Sequence, residues 1–185
     1  MDTDTGTLFL ALLAIASQLT ILAVAVIAIG SRPTLRRVRV AVGHQALQLA
    51  FLVALVSTLG SLWLSESAGF PPCRLCWYQR IAMYPLSVVL GVAALRRDVA
   101  VRVYALPLVL IGAALSTWHV LIERFPSLES STSCEITNPC SIRWVERFGY
   151  LTIPTMALTA FVLLATLLLL ATKEDHGQEA PEPPR

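Results

Sequence analysis

The sequence predicts an all-α membrane protein with five transmembrane helices and one short interfacial helix. Of its 185 residues, 56% are hydrophobic and only 14% are charged. A soluble domain of this size has too little interior to bury so many apolar side chains. Five apolar stretches also reach or approach the roughly 20 residues that a helix needs to cross the hydrocarbon core of a bilayer. The predicted spans are residues 7–29, 42–64, 77–95, 101–122 and 150–172.

The first apolar stretch, residues 7–29, is expected to be a retained transmembrane helix and not a cleaved secretory signal. The segment before it, MDTDTG, is acidic, whereas a signal peptide begins with positive charge. The stretch is also longer than the apolar region of a signal peptide. We therefore expect one transmembrane helix to precede the other four.

Arginine residues predict the orientation of the helices. They concentrate in the first and third connections between spans, at Arg32, Arg36, Arg37, Arg39, Arg96, Arg97 and Arg102. Basic residues in short connections remain on the cytoplasmic side of the membrane. We therefore expect a multi-pass protein of the cell membrane, with its N-terminus outside and its C-terminus in the cytoplasm. The net charge of +2 then reflects this topology and not a nucleic-acid partner.

The four cysteines all lie in the two connections that face outward under this topology. They are Cys73, Cys76, Cys134 and Cys140. Disulfides form and persist outside the cytoplasm, so one interpretation is a pair of structural disulfides, which four cysteines can form in more than one way. A four-thiolate zinc site is a second structural interpretation, because the Cys-x-x-Cys supplies half of the usual ligand spacing.

The surroundings of Cys73 and Cys76 favour redox chemistry over these structural roles. Thiols at the start of a helix meet unpaired backbone N–H groups and the positive end of the helix dipole, which stabilise the thiolate. Cys76, Arg80 and Tyr84 follow at intervals of four residues, which places them on one helical face. A guanidinium beside a reactive sulfur can polarise the carbonyl of a lipid-soluble quinone. An anchor at the membrane surface is the alternative interpretation of Arg80.

The segment SIRWVERFGY, residues 141–150, is predicted to form the short interfacial helix. In a helix, Ile142, Val145 and Phe148 would share one side and the charged residues the other. Such a helix would lie in the membrane surface and hold the loop from Cys134 to Cys140 near the bilayer. The alternative is a plain polar entry to the last transmembrane helix.

Two segments of the chain resemble the disulfide bond formation protein B (DsbB) family. CRLCWYQR, residues 73–80, resembles the family signature Cys-x-x-Cys-aromatic-Tyr-polar-Arg. Residues 118–161 resemble the second outward loop of the family with its flanking helices, including the spacing from His119 to Pro126 and the sequence GYLTIP. The resemblance covers about residues 42–172. It implies a four-helix transmembrane bundle of the DsbB type, here with one additional N-terminal transmembrane helix.

The resemblance also implies an activity. Members of this family are membrane thiol:quinone oxidoreductases, which re-oxidise a thioredoxin-fold, DsbA-like partner and pass the electrons to a quinone such as ubiquinone or menaquinone. By resemblance, Cys134 and Cys140 react with the partner, and Cys73 and Cys76 react with the quinone. Arg80 is expected to contact the quinone. His119 is a candidate second contact, and a structural, hydrogen-bonded histidine is the alternative.

The chain departs from the family pattern in two respects. It has the additional N-terminal helix, and only six positions separate its partner-side cysteines. The expected division is an extra helix with a basic cytoplasmic loop at 1–41, a DsbB-like bundle at 42–172 and a disordered cytoplasmic tail at 173–185. A further interpretation is a quinone reductase resembling vitamin K epoxide reductase. It is disfavoured because that family carries its Cys-x-x-Cys within a late helix.

Overall fold

The computed structural model describes residues 2–131, 134 and 138–172. Within these ranges the chain forms six α-helices and a two-stranded antiparallel sheet. The helices are α1 (Thr3–Gly30), α2 (Arg32–Val42), α3 (Ala46–Glu66), α4 (Arg74–Arg96), α5 (Arg102–Arg124) and α6 (Ile153–Leu170). The strands are β1 (Glu146–Arg147) and β2 (Leu151–Thr152). The predicted disorder of residues 173–185 lies outside the described residues.

Five helices of the described chain are long and apolar enough to cross a membrane. They are α1, α3, α4, α5 and α6, so the predicted all-α architecture with five spans is confirmed. Four of them form a closed bundle, in which α3 and α5 each pack against both α4 and α6. Helix α1 packs against α6 on the outside of this bundle. The first transmembrane helix is therefore an addition to a four-helix core.

The centre of the four-helix bundle is filled by apolar side chains. Small residues on α3, Ala50 among them, face larger ones on the neighbouring helices, Leu86 and Phe161. Small side chains let membrane helices approach closely, which strengthens their van der Waals contact. Gly112 on α5 shows how close this approach is, because a Cβ atom there would overlap the ring of Phe161. The bundle is thus closely packed at this level.

The prediction of an interfacial helix over residues 141–150 is wrong. Part of this segment forms a hairpin, in which β1 pairs with β2 so that Arg147 lies opposite Leu151. Phe148 and Gly149 at the turn have φ values of 54° and 74°, which suit a tight hairpin and exclude a continuous helix. The predicted apolar face is also absent, since Val145 is 6% exposed but Phe148 is 57% exposed.

A short amphipathic helix lies instead in the first connection, as α2. Its start is capped by Ser31, whose side chain accepts a hydrogen bond from the backbone N–H of Thr34 at 3.4 Å. Pro33 in the first turn supplies a second signal for a helix start. Both signals are present in the sequence, although the prediction drawn from this segment concerns only the orientation that its arginines indicate. Because α2 occupies residues 32–42, the next span begins at Ala46 and not at residue 42.

Candidate active site

The Cys-x-x-Cys lies at the N-terminus of α4, where Cys73 is the capping residue. Its extended backbone, with φ −69° and ψ 173°, follows Pro71 and Pro72 and turns directly into the helix. The sulfur of Cys73 accepts a hydrogen bond from the backbone N–H of Cys76 at 3.5 Å. This cap explains why α4 begins at Arg74, three residues before the predicted start of the span. It also places a sulfur at the positive end of the helix dipole.

Cys73, Cys76 and His119 form one cluster. The two cysteines are free thiols whose Sγ atoms lie 3.2 Å apart. Nε2 of His119 on α5 lies 3.6 Å from Sγ of Cys73. Cys73 and His119 are buried, while Cys76 is half-buried. The arrangement therefore presents a pair of thiols with an imidazole beside the one that caps the helix.

The ring of His119 also joins α4 to the second cysteine loop. The side-chain amide nitrogen of Gln79 lies 3.2 Å from Nδ1, and the backbone oxygen of Cys140 lies 3.1 Å from Nε2. With the amide donating to Nδ1, the ring proton lies on Nε2 and points to both the Cys140 carbonyl and the Cys73 sulfur. Gln79 thus fixes the tautomer that donates toward the thiols.

Cys134 and Cys140 are joined by a disulfide, with their Cα atoms 6.0 Å apart. Cys140 is 1% exposed and packs in one apolar cluster with Cys73 and Ile122, whereas Cys134 is half-buried. The two cysteine pairs are therefore neighbours, although the sequence separates them by more than fifty positions.

The carboxylate of Glu129 holds the loop at Cys140. One carboxylate oxygen accepts hydrogen bonds from the backbone N–H groups of Cys140, at 2.5 Å, and Ser141, at 3.3 Å. The other accepts from the hydroxyl of Ser141 at 2.6 Å. Charge-assisted bonds of this kind are stronger than those between neutral groups. Glu129 therefore fixes the position of the disulfide relative to Cys73.

The environment of Cys73 favours its ionised form. The pKa of the Cys73 thiol is lowered from 9.0 to about 4, chiefly by the hydrogen bond with the side chain of Cys76. His119 adds to the lowering of this pKa, while burial opposes it. The thiolate is the nucleophilic form of cysteine, so Cys73 is ionised and reactive at neutral pH.

A cavity of about 320 Å³ adjoins the thiol pair inside the membrane-spanning part of the protein. Cys76, Arg80 and Tyr84 all line it, in agreement with their predicted position on one helical face. Its remaining walls are largely apolar and come from α1, α3 and α6, while His119 and Glu123 of α5 and the two cysteine-containing connections line the end near the thiols. A volume of this size, with a few polar groups in an apolar wall, is typical of small-molecule sites.

The side chain of Arg80 is directed into the protein and not toward lipid, since the residue is only 8% exposed. Its Nε donates to the hydroxyl of Ser61 at 3.0 Å and its Nη2 to the backbone oxygen of Ser61 at 2.8 Å. The guanidinium also lies 5.2 Å from the centre of the Trp77 ring. These contacts hold a fixed positive charge at the wall of the cavity. Below it, the hydroxyl of Tyr84 is buried and has no hydrogen-bond partner among the described residues.

Two groups of side chains in the described part of the chain have the spacing of metal ligands. One is Cys73, Cys76 and His119, and the other is Glu129, Cys134 and Cys140, with ligand atoms within 4.8 Å of one another in each group. In the second group both sulfurs belong to the disulfide. Disulfide sulfurs are not thiolates, so the pairing does not favour the four-thiolate zinc interpretation.

Several residues of this site were not identified from the sequence. Gln79 lies within the quoted signature, but nothing in the sequence indicates that it contacts His119. Ser61 and Glu129 carry no sequence signal, because their roles depend on contacts between distant segments. The predicted residues themselves are brought together: all four cysteines and His119 lie in one region, and Arg80 lies one helical turn below Cys76.

Comparison with known proteins accounts for this arrangement. The sequence profile of the family described as Disulfide bond formation protein DsbB matches residues 43–171. The chain belongs to the DsbB family. The DsbB family profile thus covers α3 to α6 and both cysteine-containing connections, and it leaves α1 and α2 outside.

Curated relatives extend the DsbB family assignment. The chain is 43% identical over 128 residues to Disulfide bond formation protein C of Bacillus subtilis, which covers 69% of this chain and 93% of the relative. A Probable disulfide formation protein of Coxiella burnetii is 43% identical over 130 residues, which covers 69% and 88%. Probable disulfide formation protein C of Halalkalibacterium halodurans is 42% identical over 125 residues, which covers 68% and 91%. No solved structure matches the chain significantly.

Membership of the DsbB family confirms the predicted resemblance and the DsbB-type bundle. The chain is a multi-pass membrane protein with a role in disulfide bond formation, and this role is an oxidoreductase activity. The two adjacent cysteine pairs are the groups in the described chain that can carry such chemistry, because thiol–disulfide exchange requires sulfur atoms within reach of one another.

Proposed function

We propose that this protein oxidises a thioredoxin-fold, DsbA-like partner through Cys134 and Cys140 and transfers two electrons through Cys73 and Cys76 to a membrane quinone, ubiquinone or menaquinone. The observation that carries the proposal is the position of the Cys73 cluster. It touches the Cys134–Cys140 disulfide on one side and the apolar cavity with Arg80 on the other.

The first half of the reaction is an exchange with the partner. A partner thiolate attacks the sulfur of Cys134, which is more exposed than that of Cys140. The bond between Cys134 and Cys140 breaks, a mixed disulfide forms, and Cys140 leaves as a thiolate. The second partner thiol then attacks its own neighbouring sulfur, which releases the oxidised partner and leaves two electrons on Cys134 and Cys140.

The second half moves these electrons from Cys134 and Cys140, the outer pair, to Cys73 and Cys76, the inner pair that borders the cavity. When Cys73 and Cys76 are joined, the thiolate of Cys140 attacks the sulfur of Cys73, which lies in the same apolar cluster, and Cys76 leaves. Cys134 then attacks Cys140, which restores the outer disulfide and releases Cys73. The result is an outer disulfide with two inner thiols, the arrangement described here. His119 supports Cys73 as the leaving thiolate through its Nε2–H group.

The residues around the cavity fit a quinone. A bound quinone supplies an acceptor for two electrons and two protons. The Arg80 guanidinium and the unpartnered hydroxyl of Tyr84 offer hydrogen-bond donors in a largely apolar wall, which matches a ring that carries carbonyl oxygens. Cys73 and Cys76 both line the cavity, so the thiol pair that would give up two electrons on forming its disulfide borders the site directly.

The positions of charged groups support the proposed topology. Asp4 near the N-terminus binds Arg147 in the hairpin that follows the second cysteine loop, so the N-terminus lies at the cysteine end of the bundle. The arginines of α2 lie at the other end, where the backbone N–H of Thr172 donates to the oxygen of Gly43. By the distribution of basic residues, the cysteine end faces outward and the α2 end faces the cytoplasm. Division of the chain at residues 41 and 172 remains part of this proposal.

Turnover with single cysteine variants tests the proposal. Purified protein given a quinone and a reduced thioredoxin-fold substrate should consume the two in equal amounts. Cys73→Ser or Cys76→Ser should remove quinone consumption. The matched control is the double variant Cys134→Ser with Cys140→Ser. It should no longer oxidise the protein substrate, but it should still reduce quinone when a small dithiol supplies the electrons. Full turnover in Cys73→Ser or Cys76→Ser would exclude the proposed route.

A further inference from the structure

Helix α1 lies outside the segment that matches the DsbB family, yet it lines the cavity beside the thiol pair. Leu10, Leu13, Ala14 and Ser17 of α1 all contribute to the wall. Their spacing of three to four residues places them on one side of the helix. The additional helix therefore has a face directed at the cavity. A helix that only packed against the outside of the α3–α6 bundle would not need such a face.

Helix α1 is attached to both helices that flank this side of the cavity. On α3, Gly60 lies against the side chain of Leu10. On α6, the hydroxyl of Thr159 lies 3.0 Å from the amide nitrogen of Gln18, which donates to it. Both α3 and α6 also line the cavity, so α1 bridges them across its side. Without α1, this side would open to the lipid.

The cysteine end of α1 is fixed to the hairpin. Arg147 forms an ion pair with Asp4 and donates a hydrogen bond to the hydroxyl of Thr7 at 2.7 Å. The hydroxyl of Tyr150 donates to the side-chain oxygen of Gln18 at 2.8 Å. Hydrogen bonds at two levels therefore hold α1 in one orientation. A helix held only by apolar contacts could rotate more freely in a bilayer.

The two sides of α1 differ in their relation to the cavity. Leu13, Ala14 and Ser17 line it, although Leu13 is 39% exposed, whereas Leu12 and Ala16 on the outward side are exposed and contribute nothing to the wall. This difference supplies matched positions on a single helix. A bulky residue on the inward side enters the cavity, and the same residue on the outward side enters lipid.

We propose that α1 is part of the quinone-binding site and forms the lateral wall that closes it from the bilayer. This inference rests on the proposed function, since it assumes that the cavity holds an isoprenoid quinone. The ring lies between the Arg80 and Tyr84 face of α4 and the inward face of α1. Side chains at positions 13 and 17 then set the space available to the ring.

Two matched pairs of substitutions in the full-length protein test the inference. Ser17→Phe and Leu13→Phe place an aromatic ring on the inward side, and Ala16→Phe and Leu12→Phe place it on the outward side. Filling the site should weaken binding of a short-tailed benzoquinone by about tenfold in the inward variants. The outward variants should bind like the wild type. The readout is the rise in the thermal unfolding midpoint with quinone concentration, which does not depend on turnover.

A second measurement separates the inference from the proposed function. Exchange between a reduced thioredoxin-fold protein and the Cys134–Cys140 disulfide, followed without quinone, should proceed at the wild-type rate in all four variants. If the wild type does not bind quinone, the proposed function fails. If the wild type binds and the inward variants bind equally well, only the role of α1 is overturned. Loss of exchange in an inward variant would show a general structural defect and would also count against a wall role for that position.

Discussion

Nε2 of His119 lies 3.6 Å from the sulfur of Cys73 and 3.1 Å from the backbone oxygen of Cys140. A single imidazole thus touches both cysteine-containing segments. The imidazole contacts the inner pair at the side-chain sulfur of Cys73 and the outer pair at the backbone oxygen of Cys140. In the proposed mechanism this contact holds the two pairs in a fixed relation during exchange between them.

The ionisation of Cys73 predicts how alkylation of the thiol pair depends on pH. Because the pKa of Cys73 is lowered to about 4, its thiolate persists at neutral pH and is lost only as the pH falls through about 4. Cys76→Ala removes the hydrogen bond that lowers this pKa most and should raise the pKa toward 9.0, while His119→Ala should raise it less. Ultraviolet absorbance of the Cys73 thiolate, followed against pH, measures the pKa in each variant. An unchanged midpoint in Cys76→Ala would contradict the assignment.

Gln79 is expected to act as a positioning residue for His119. Gln79→Leu removes the donor to Nδ1, leaves the tautomer unspecified and should slow transfer between the cysteine pairs by about tenfold. In Gln79→Glu the carboxylate accepts a hydrogen bond from Nδ1–H instead and should favour the charged ring. The pH profile of transfer should therefore shift in Gln79→Glu and lose amplitude in Gln79→Leu. Identical profiles in the two variants would exclude this role.

Arg80 is expected to affect the quinone half of the reaction alone. Arg80→Lys cannot reproduce the two-point contact with Ser61, so the charge moves and quinone affinity should fall by about tenfold. Ser61→Ala removes one of the two bonds and should have a smaller effect in the same direction. Exchange of the partner with Cys134 and Cys140 should be unchanged in both variants. Equal losses in the two half-reactions would indicate misfolding.

Glu129 is expected to hold the outer disulfide against the inner pair. Glu129→Ala leaves the N–H groups of Cys140 and Ser141 without their acceptor, at a cost of about 1–3 kcal/mol to the local structure. Transfer from the outer to the inner pair should slow, and hydrogen exchange at Cys140 and Ser141 should speed up. Glu129→Gln retains an acceptor oxygen and should restore most of the transfer rate and most of the protection from hydrogen exchange. If Glu129→Ala leaves both rates as they are, the anchor has no role.

The face shared by Cys76, Arg80 and Tyr84 could be predicted from sequence because it depends only on helical periodicity. The same is true of the five spans, since the thickness of the bilayer sets their length. The capping position of Cys73 moved the start of α4 by three residues from the predicted boundary. Local rules thus predicted the five transmembrane helices and the alignment of Cys76, Arg80 and Tyr84.

The remaining features depend on contacts between segments far apart in the chain. The spacing of Ile142, Val145 and Phe148 suits a helix, but the positive φ values at Phe148 and Gly149 come with a hairpin that is completed by contacts to α1. The anchoring by Glu129 and the approach of α1 to the cavity likewise follow from tertiary packing. Periodicity within one segment carries no information about such contacts.

The burial of Cys140 against Cys73 has a consequence for the pace of the enzyme. Segments that already pack in one cluster need no long movement of a flexible loop to meet, and only six positions separate Cys134 from Cys140. If the proposed exchange runs through this junction, we expect the first half-reaction to be limited by the approach of the reduced partner and not by rearrangement of the loop, so that its rate rises with partner concentration.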